Sequence, residues 1–471
     1  VERERVRDLV VVVPGIMGSA LAKDGTDVWN LSRQATWQIL KSRLGCLHRL
    51  ALPADLGDDH PRDGVEPVDV MRTLHGIPGL GPLVVGYDGL LRWLRRNFTL
   101  DPSDGDHPGN LWAFAYDWRL SIRYNARRLA AELPPRLERW QKASKDNKDA
   151  RVVFLCHSMG GLVARYYLEV CGGAELCRAL ITLGTPYRGS LDALSRLVNG
   201  VSFKLGGIGP DLTRLARSLP SLHQLTPRYA CLDDGGELKY PQELGYGLPG
   251  VDAALLADAA RLHQEIADKV KARGGSPSYQ ILPFRGLRQP TLTTASLDER
   301  GRLVGSFLID GEDEGGDGRV PRLSAFPPEM RDTDLVIRGV VEGHGALPAH
   351  RPIRAELFQF FTGREKVHRA PVDAADRLRV QVPELVAAGE PVPLEVTADG
   401  EGPVDRLALT AVFTPSLAGG RAVTRSLANR GGGRYTAVVR GLDPGLYSVS
   451  IKAATGGEPV TRHLTVWDAD E

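Results

Sequence analysis

The sequence predicts a doubly wound α/β fold followed by a smaller all-β region. Three observations carry this expectation. Continuous apolar runs rich in β-branched residues recur between residues 8 and 341 and end in breakers, as strands buried on both faces of a parallel sheet require. Amphipathic helical patterns lie between those runs. Beyond His368 the pattern changes to period-two alternation with glycine-rich turns. The chain has 471 residues, too many for one ordinary domain.

The elements follow in order. "DLVVVVPG" (Asp8–Gly15) reads as the first central strand. Equivalent runs are "RVVFLC" before Ser158, "RALITLG" (Arg178–Gly184), "SYQILPF" (Ser278–Phe284) and "DLVIRGVV" (Asp334–Val341). Helices are predicted over Tyr87–Phe98, after Ser158, over Val251–Arg273 and toward Gly363. Residues 190–250, rich in Gly, Pro, Leu and Ser, break the alternation and read as an insertion over the sheet, a lid. A catalytic domain over 1–366 is therefore expected. "APVDAAD" is the linker. "RLRVQV", "PLEVTA", "LALTAVF", "RYTAVVR", "LYSVSIKA" and "HLTVW" then predict six or seven short strands, an immunoglobulin-like β-sandwich over 370–471.

Composition narrows the function classes. Hydrophobic residues make up 42% and charged residues 25% of the chain, the balance of a globular protein. The net charge of +1 supplies no field toward nucleic acid or anionic lipid, so no nucleic-acid partner is expected. Five cysteines, Cys46, Cys156, Cys171, Cys177 and Cys231, are loosely spaced without a C-x-x-C pair. That argues against a disulfide framework or zinc site and for a reducing compartment. No signal-peptide pattern is visible, and the longest apolar run stops at Pro14, short of a span. A cytoplasmic protein is expected, with any membrane contact peripheral. No metal or cofactor is expected. "DGEDEGGD" (Asp310–Asp317) is acidic but lacks calcium-loop spacing, and no glycine-rich phosphate loop occurs.

Chemistry concentrates at "CHSMGG". A strand runs in, a helix runs out, and Ser158 sits on the turn, the arrangement of a nucleophile elbow. Cys156 replaces the glycine usual two residues before the serine, where the demand is small size. A serine needs a base and the base an orienting carboxylate, in the chain order Ser, acid, His. Asp317 in a Gly-Asp-Gly turn, after the "GRLVGSFLI" strand, is favoured over Asp310 and Asp313. His344, past the last sheet strand, is favoured over His350. The backbone N–H groups of Met159 and of Met17, in "PGIMGS", are the expected oxyanion donors. In "YDWR", Asp117 and Arg119 are charges in an otherwise buried stretch and should pair as structural support.

As an ordered set, "VVPGIMGSAL", "VGYDGLL", "WAFAYDWR", "CHSMGGLVARYYL", "ITLGTPYRGS", "GDGRVP" and "EGH" resemble the lecithin:cholesterol acyltransferase family of lipases and acyltransferases, which includes group XV phospholipase A2. These pieces span residues 8 to about 362. The resemblance implies an α/β-hydrolase core, a Ser158–Asp317–His344 triad, and Met17 and Met159 as oxyanion donors. It also implies a lipid-meeting segment in an insertion near 24–75. There Trp29, Trp37, Leu40 and Leu44 interleave with basic residues and suit a membrane interface; the same apolar face would equally pack on the protein body. Animal members carry disulfides in this insertion, whereas Cys46 stands without an obvious partner. The chain is thus similar to a bacterial, intracellular relative.

The expected function is a serine lipase, phospholipase or acyltransferase acting on lipid acyl esters through an acyl-serine, with hydrolysis the default. The alternative is a catalytically inactive lipid-binding or scaffolding protein whose β-sandwich makes the partner contacts. A third reading makes Cys156 the nucleophile.

Overall fold

The computed structural model describes residues 3–29, 50–71, 86–104, 107–202, 211–244, 247–364, 378–399, 404–416, 420–456 and 458–467. Strands β1 (Leu9–Val13), β2 (Leu111–Ala113), β3 (Val152–His157), β4 (Cys177–Leu183), β5 (Gln280–Gly286) and β6 (Arg338–Val340) form one sheet in the order β6-β5-β4-β3-β1-β2. Every neighbouring pair is parallel. The chain steps outward from β1 to β2, returns to the other side of β1 and builds β3 to β6 in sequence. The direction of winding therefore reverses between β1 and β3. In open parallel sheets the crevice beyond the strand ends at that point is where ligands bind.

The run Leu9–Val13 is wholly buried because helices cover both faces. Leu9, Val11 and Val13 pack with Leu129 and Leu133 of α2 (Ile122–Ala143), Leu162 and Val163 of α3 (Met159–Glu169), and Leu262 of α5 (Ala253–Arg273). Val10 and Val12 pack with Leu90 and Leu94 of α1 (Asp88–Asn97) and with Ile353 and Leu357 of α6 (Arg351–Thr362). Helix α2, which sequence reading left unassigned, runs for 22 residues through Pro134 and Pro135. An interior proline costs about 3 kcal/mol of helix stability. Burial of Leu129, Leu133 and Leu137 on one stripe offsets that, and Ser121 caps the first turn by accepting from the Tyr124 N–H at 3.0 Å.

The expected strand at "GRLVGSFLI" is present, as Leu303–Ser306 and Leu308–Ile309, but outside the central sheet. Leu303–Ser306 pairs antiparallel with Thr294–Leu297 in a separate four-stranded sheet. The central strand that precedes Asp317 is β5, and residues 287–316 are an excursion between the two. The region 190–250 forms α4 (Leu191–Asn199), two short helices at Thr213–Ser218 and Pro220–His223, and two strands that join that same side sheet.

After residue 377, two sheets share one core. Strands β7 (Leu378–Gln381), β9 (Val392–Ala398), β13 (Arg434–Val439) and β12 (Ala428–Gly431) make one. Strands β8 (Leu385–Ala387), β15 (Val460–Trp467), β14 (Gly445–Ala453), β10 (Leu409–Pro415) and β11 (Val423–Ser426) make the other. Val380, Val396 and Tyr435 of the first meet Phe413, Val449 and Leu464 of the second. All pairings are antiparallel except β8 with β15. Three strands exceed the sequence reading. β11 and β12 are almost wholly exposed and so carry no apolar alternation, and β8 is only three residues long.

Candidate active site

Ser158 joins β3 to α3 with φ 54° and ψ −129°, a conformation that costs a non-glycine residue free energy and persists only where the surroundings impose it. Those surroundings are specific. The Ser158 N–H donates to Leu183 O at 2.9 Å, which ties the turn to the end of β4. Gly160 lets α3 lie against β1, since a Cβ there would collide with the backbone carbonyls of Val13 and Pro14. Cys156 is fully buried on β3, between Val13 and Thr182 of the neighbouring strands. Burial, with Cys177 adding, pushes its thiol well above the ordinary value, which disfavours the reactive thiolate and suits an apolar filler.

Asp317 and His344 lie on loops beyond β5 and β6. His344 Nδ1 is 2.7 Å from Asp317 Oδ2, and both residues are buried. Asp317 Oδ1 accepts from the N–H groups of Arg319 at 2.9 Å and Val320 at 2.7 Å. The His344 N–H donates to Asp317 O at 2.8 Å, so side chain and backbone both couple the two turns. A carboxylate on Nδ1 leaves Nε2 as the acceptor. A single cavity of about 40 Å³ is lined by Ser158, His344, Ile16, Leu222, Leu225 and Arg319. Asp310 and Asp313 are exposed on the excursion, and Asp313 pairs with Arg379. His350 is buried at the start of α6, its pKa pushed down to about 4 by burial.

Met17 lies in the loop after β1 with φ 62°, and Met159 is the first residue of α3. First-turn N–H groups have no partner within their helix and carry its positive end. Met159 adjoins the serine in sequence, and the loop of Met17 reaches it at Gly15, where a Cβ would lie 2.9 Å from Ser158 Cβ.

Two residues given no role from sequence hold this arrangement, and a third braces the Asp117–Arg119 pair. His157 Nε2 is 3.0 Å from His344 O and Nδ1 is 2.8 Å from the Tyr87 hydroxyl. A carbonyl only accepts, so Nε2 carries the proton and Nδ1 takes the Tyr87 proton. The Tyr87 oxygen in turn accepts from the Gly15 N–H at 2.9 Å. One chain of hydrogen bonds therefore runs from the β1 loop through Tyr87 and His157 to the His344 backbone. The signal was present, since Tyr87 and His157 stand inside the quoted "VGYDGLL" and "CHSMGG". The third residue is Asp63. Arg119, fully buried, donates to Asp117 at 2.7 and 3.0 Å, to Asp63 at 2.8 Å and to Leu50 O at 3.3 Å. Burial pushes the Asp63 carboxyl up, but Arg119 outweighs this and holds it below the ordinary value. Neither Asp117 nor Arg119 lines the serine cavity.

Sequence reading left Trp29 between a lipid interface and packing on the protein body; it is 4% exposed, which is the second. Its ring meets Trp118 edge-on at 5.6 Å and its Nε1 donates to Met17 O at 3.1 Å. The indole satisfies its one donor on the β1 loop and buries its apolar body beside it. Trp37, Leu40 and Leu44 lie outside the described residues. Among the described residues, no group of three or more His, Cys, Asp or Glu is placed to hold a metal ion, and no helix is long and apolar enough to cross a membrane.

Comparison with known proteins bears on the same segment. The family model "Lecithin:cholesterol acyltransferase" matches residues 103–238. "Uncharacterized protein YJR098C" of Saccharomyces cerevisiae is 38% identical over 177 residues, which are 38% of this chain and 23% of the yeast protein's length. The chain thus spans about a quarter of that relative. The mature Bacillus licheniformis lipase BlEst2 superimposes with a TM-score of 0.35 at 12% identity, over 77% of this chain and 95% of the lipase. Its propeptide form gives 0.36 at 11%, over 98% and 94%. Neither superposition is close enough to bear on the assignment. The family match covers the "YDWR" stretch, the serine elbow and the β4 strand end, and over residues 103–238 this chain is similar to the lecithin:cholesterol acyltransferase family.

Proposed function

We propose that this chain is a serine lipase, phospholipase or acyltransferase that processes acyl esters of lipids through an acyl-serine. The carrying observation is that Ser158, on a strained strand-to-helix turn, and His344, bonded to Asp317 at 2.7 Å, line the same cavity. His344 Nε2 takes the Ser158 proton as Oγ attacks the ester carbonyl. The N–H groups of Met17 and Met159 receive the negative charge that develops on the carbonyl oxygen. His344 then protonates the leaving alcohol, and Asp317 stabilises the imidazolium between these steps. Water or a second alcohol, activated by the same histidine, releases the acyl group. The family match over 103–238 supports the lipid-ester class.

The division that goes with this reading is an α/β-hydrolase domain over 1–366, with insertions near 24–75 and 190–250, and an immunoglobulin-like sandwich over 370–471. The cavity at Ser158, about 40 Å³, is far below the roughly 300–1,000 Å³ of a ligand pocket. Leu222 and Leu225, which wall it, must move for an acyl chain to enter.

The test is mass spectrometry of a total lipid extract incubated with the protein and with Ser158→Ala. Free fatty acid plus lysolipid, absent with Ser158→Ala, identifies hydrolysis. New acylated products identify transfer. A protein that leaves the extract unchanged and takes no label from a fluorophosphonate is not an acyl-serine enzyme, and the scaffolding reading then stands.

A further inference from the structure

Strand β15, at the far end of the chain, reaches the turns that carry the acid and base. Arg462 Nη1 donates to Asp317 O at 3.3 Å, Nη2 to Gln289 Oε1 at 2.7 Å and Nε to Val380 O at 3.3 Å. Asp317 O is the same carbonyl that accepts the His344 N–H. The guanidinium and the base backbone therefore converge on one oxygen. Beside it, Glu342 Oε1 accepts from the Thr461 N–H at 2.8 Å and from the Gly343 N–H at 2.6 Å. Gly343 precedes the base, and a Cβ there would lie 2.5 Å from Arg462 Nη1 and 2.7 Å from Thr461 O. Only a glycine lets the β15 backbone come this close. Gln289, itself fully buried, holds the other edge: its N–H donates to Gly316 O at 3.0 Å and its Nε2 to Leu378 O at 3.1 Å.

We propose that Arg462 is a positioning residue for the Asp317–His344 pair, and that the C-terminal β-region is thereby a working part of the catalytic site rather than an appendage. This rests on the reading of Ser158, Asp317 and His344 as the catalytic set. The physical argument is directional. A planar guanidinium presents donors in a fixed fork. Here the fork spans an oxygen of the acid turn, a buried glutamine bonded to the residue before that turn, and a strand of the β-region. Asp317 is held from its carboxylate side by the Arg319 and Val320 N–H groups and from its carbonyl side by Arg462. Without Arg462 the carbonyl side keeps only the His344 N–H, so acid and base drift together relative to Ser158. Displacement of about 1 Å between reacting groups lowers turnover about a hundredfold, with little effect on binding. A loss in kcat at constant KM is the signature.

The test uses the full chain with Arg462→Met and Arg462→Lys, hydrolysis of p-nitrophenyl butyrate, and Ser158→Ala and His344→Ala in parallel. Rates are taken per folded molecule by circular dichroism. Arg462→Met is expected to lose kcat about ten- to a hundredfold with KM unchanged. Arg462→Lys, which keeps the charge and stem but not the fork, is expected to fall between that variant and the natural protein. If Arg462→Met turns over at the natural rate while Ser158→Ala and His344→Ala are inactive, the positioning role is overturned and the catalytic assignment survives. If Ser158→Ala stays active, the catalytic assignment falls and takes the inference with it. Should Arg462→Met not fold, Arg462→Lys decides: a lower kcat at unchanged KM supports the role, and an unaltered kcat overturns it.

Discussion

Replacing Tyr87 by phenylalanine removes one oxygen atom and tests the hydrogen-bond chain behind the elbow. That oxygen serves two buried groups, the Gly15 N–H at 2.9 Å and His157 Nδ1 at 2.8 Å. Tyr87 is fully buried, so water does not substitute. Each orphaned buried polar group costs about 1–3 kcal/mol. The two share one vacated position and relax together, so Tyr87→Phe is expected to destabilise the protein by about 2–4 kcal/mol. Tyr116→Phe is the control. Its hydroxyl, equally buried, donates only to Pro14 O at 2.8 Å, and losing a single partner there should cost about 1 kcal/mol. Gly15 begins the loop that carries Met17, and His157 meets the His344 loop, so under the proposed mechanism Tyr87→Phe should also lower kcat about tenfold or more. Urea titration followed by fluorescence, with ester hydrolysis on the same samples, measures both. If the two variants have the same urea midpoint, or Tyr87→Phe keeps full kcat, the proposed chain carries neither stability nor alignment.

Four further outcomes are expected. Arg119→Met strands the buried Asp117 carboxylate and should cost about 3–5 kcal/mol in a urea titration. Adding Asp117→Asn should restore most of the loss, and simple additivity of the two changes would rule out the pairing. Gly160→Ala presses a Cβ onto the Val13 and Pro14 carbonyls and should cost about 1–3 kcal/mol while lowering fluorophosphonate labelling; a neutral variant would contradict the close packing of α3 on β1. Cys156→Ala should retain activity, and its inactivation would revive the thiol as nucleophile. Burial raises the Glu342 carboxyl from 4.5 to about 8, so the folded chain keeps a proton that the unfolded chain releases. The stability this supplies is complete below pH 4.5 and is lost as pH rises toward about 8. Glu342→Gln should flatten that slope and gain up to a few kcal/mol over the natural protein above that range; parallel urea-midpoint curves against pH would contradict the raised pKa.

The α/β core was legible because β1, β3 and β4 are buried on both faces and so spell continuous apolar runs. Ser158 was legible for a related reason, since only a strand feeding directly into a helix makes its turn. Asp317 and His344 could be chosen by chain order, and the structure places them 2.7 Å apart. Other features left weaker traces. Helix α2 hides behind Pro134 and Pro135, whose local penalty is outweighed by burial that no window of sequence reports. The strand ahead of Asp317 was legible as a strand, but its place in a side sheet was not, because a side-sheet hairpin has the same composition as a central strand. Trp29 carries the composition of a lipid anchor, and its partner Trp118 is far along the chain. The roles of Tyr87, His157 and Asp63 depend on pairings between distant loops, which local patterning does not encode.

The contact between Asp317 and Arg462 spans 145 residues, and that separation imposes an order on synthesis. The Ser158, Asp317 and His344 turns all leave the ribosome before β15 does. At about 5–20 residues per second, the delay between Asp317 and Arg462 is on the order of ten seconds. Through that interval the Asp317 and His344 turns lack the Glu342–Thr461 and Asp317–Arg462 bonds, and synthesis of β15 is what supplies them.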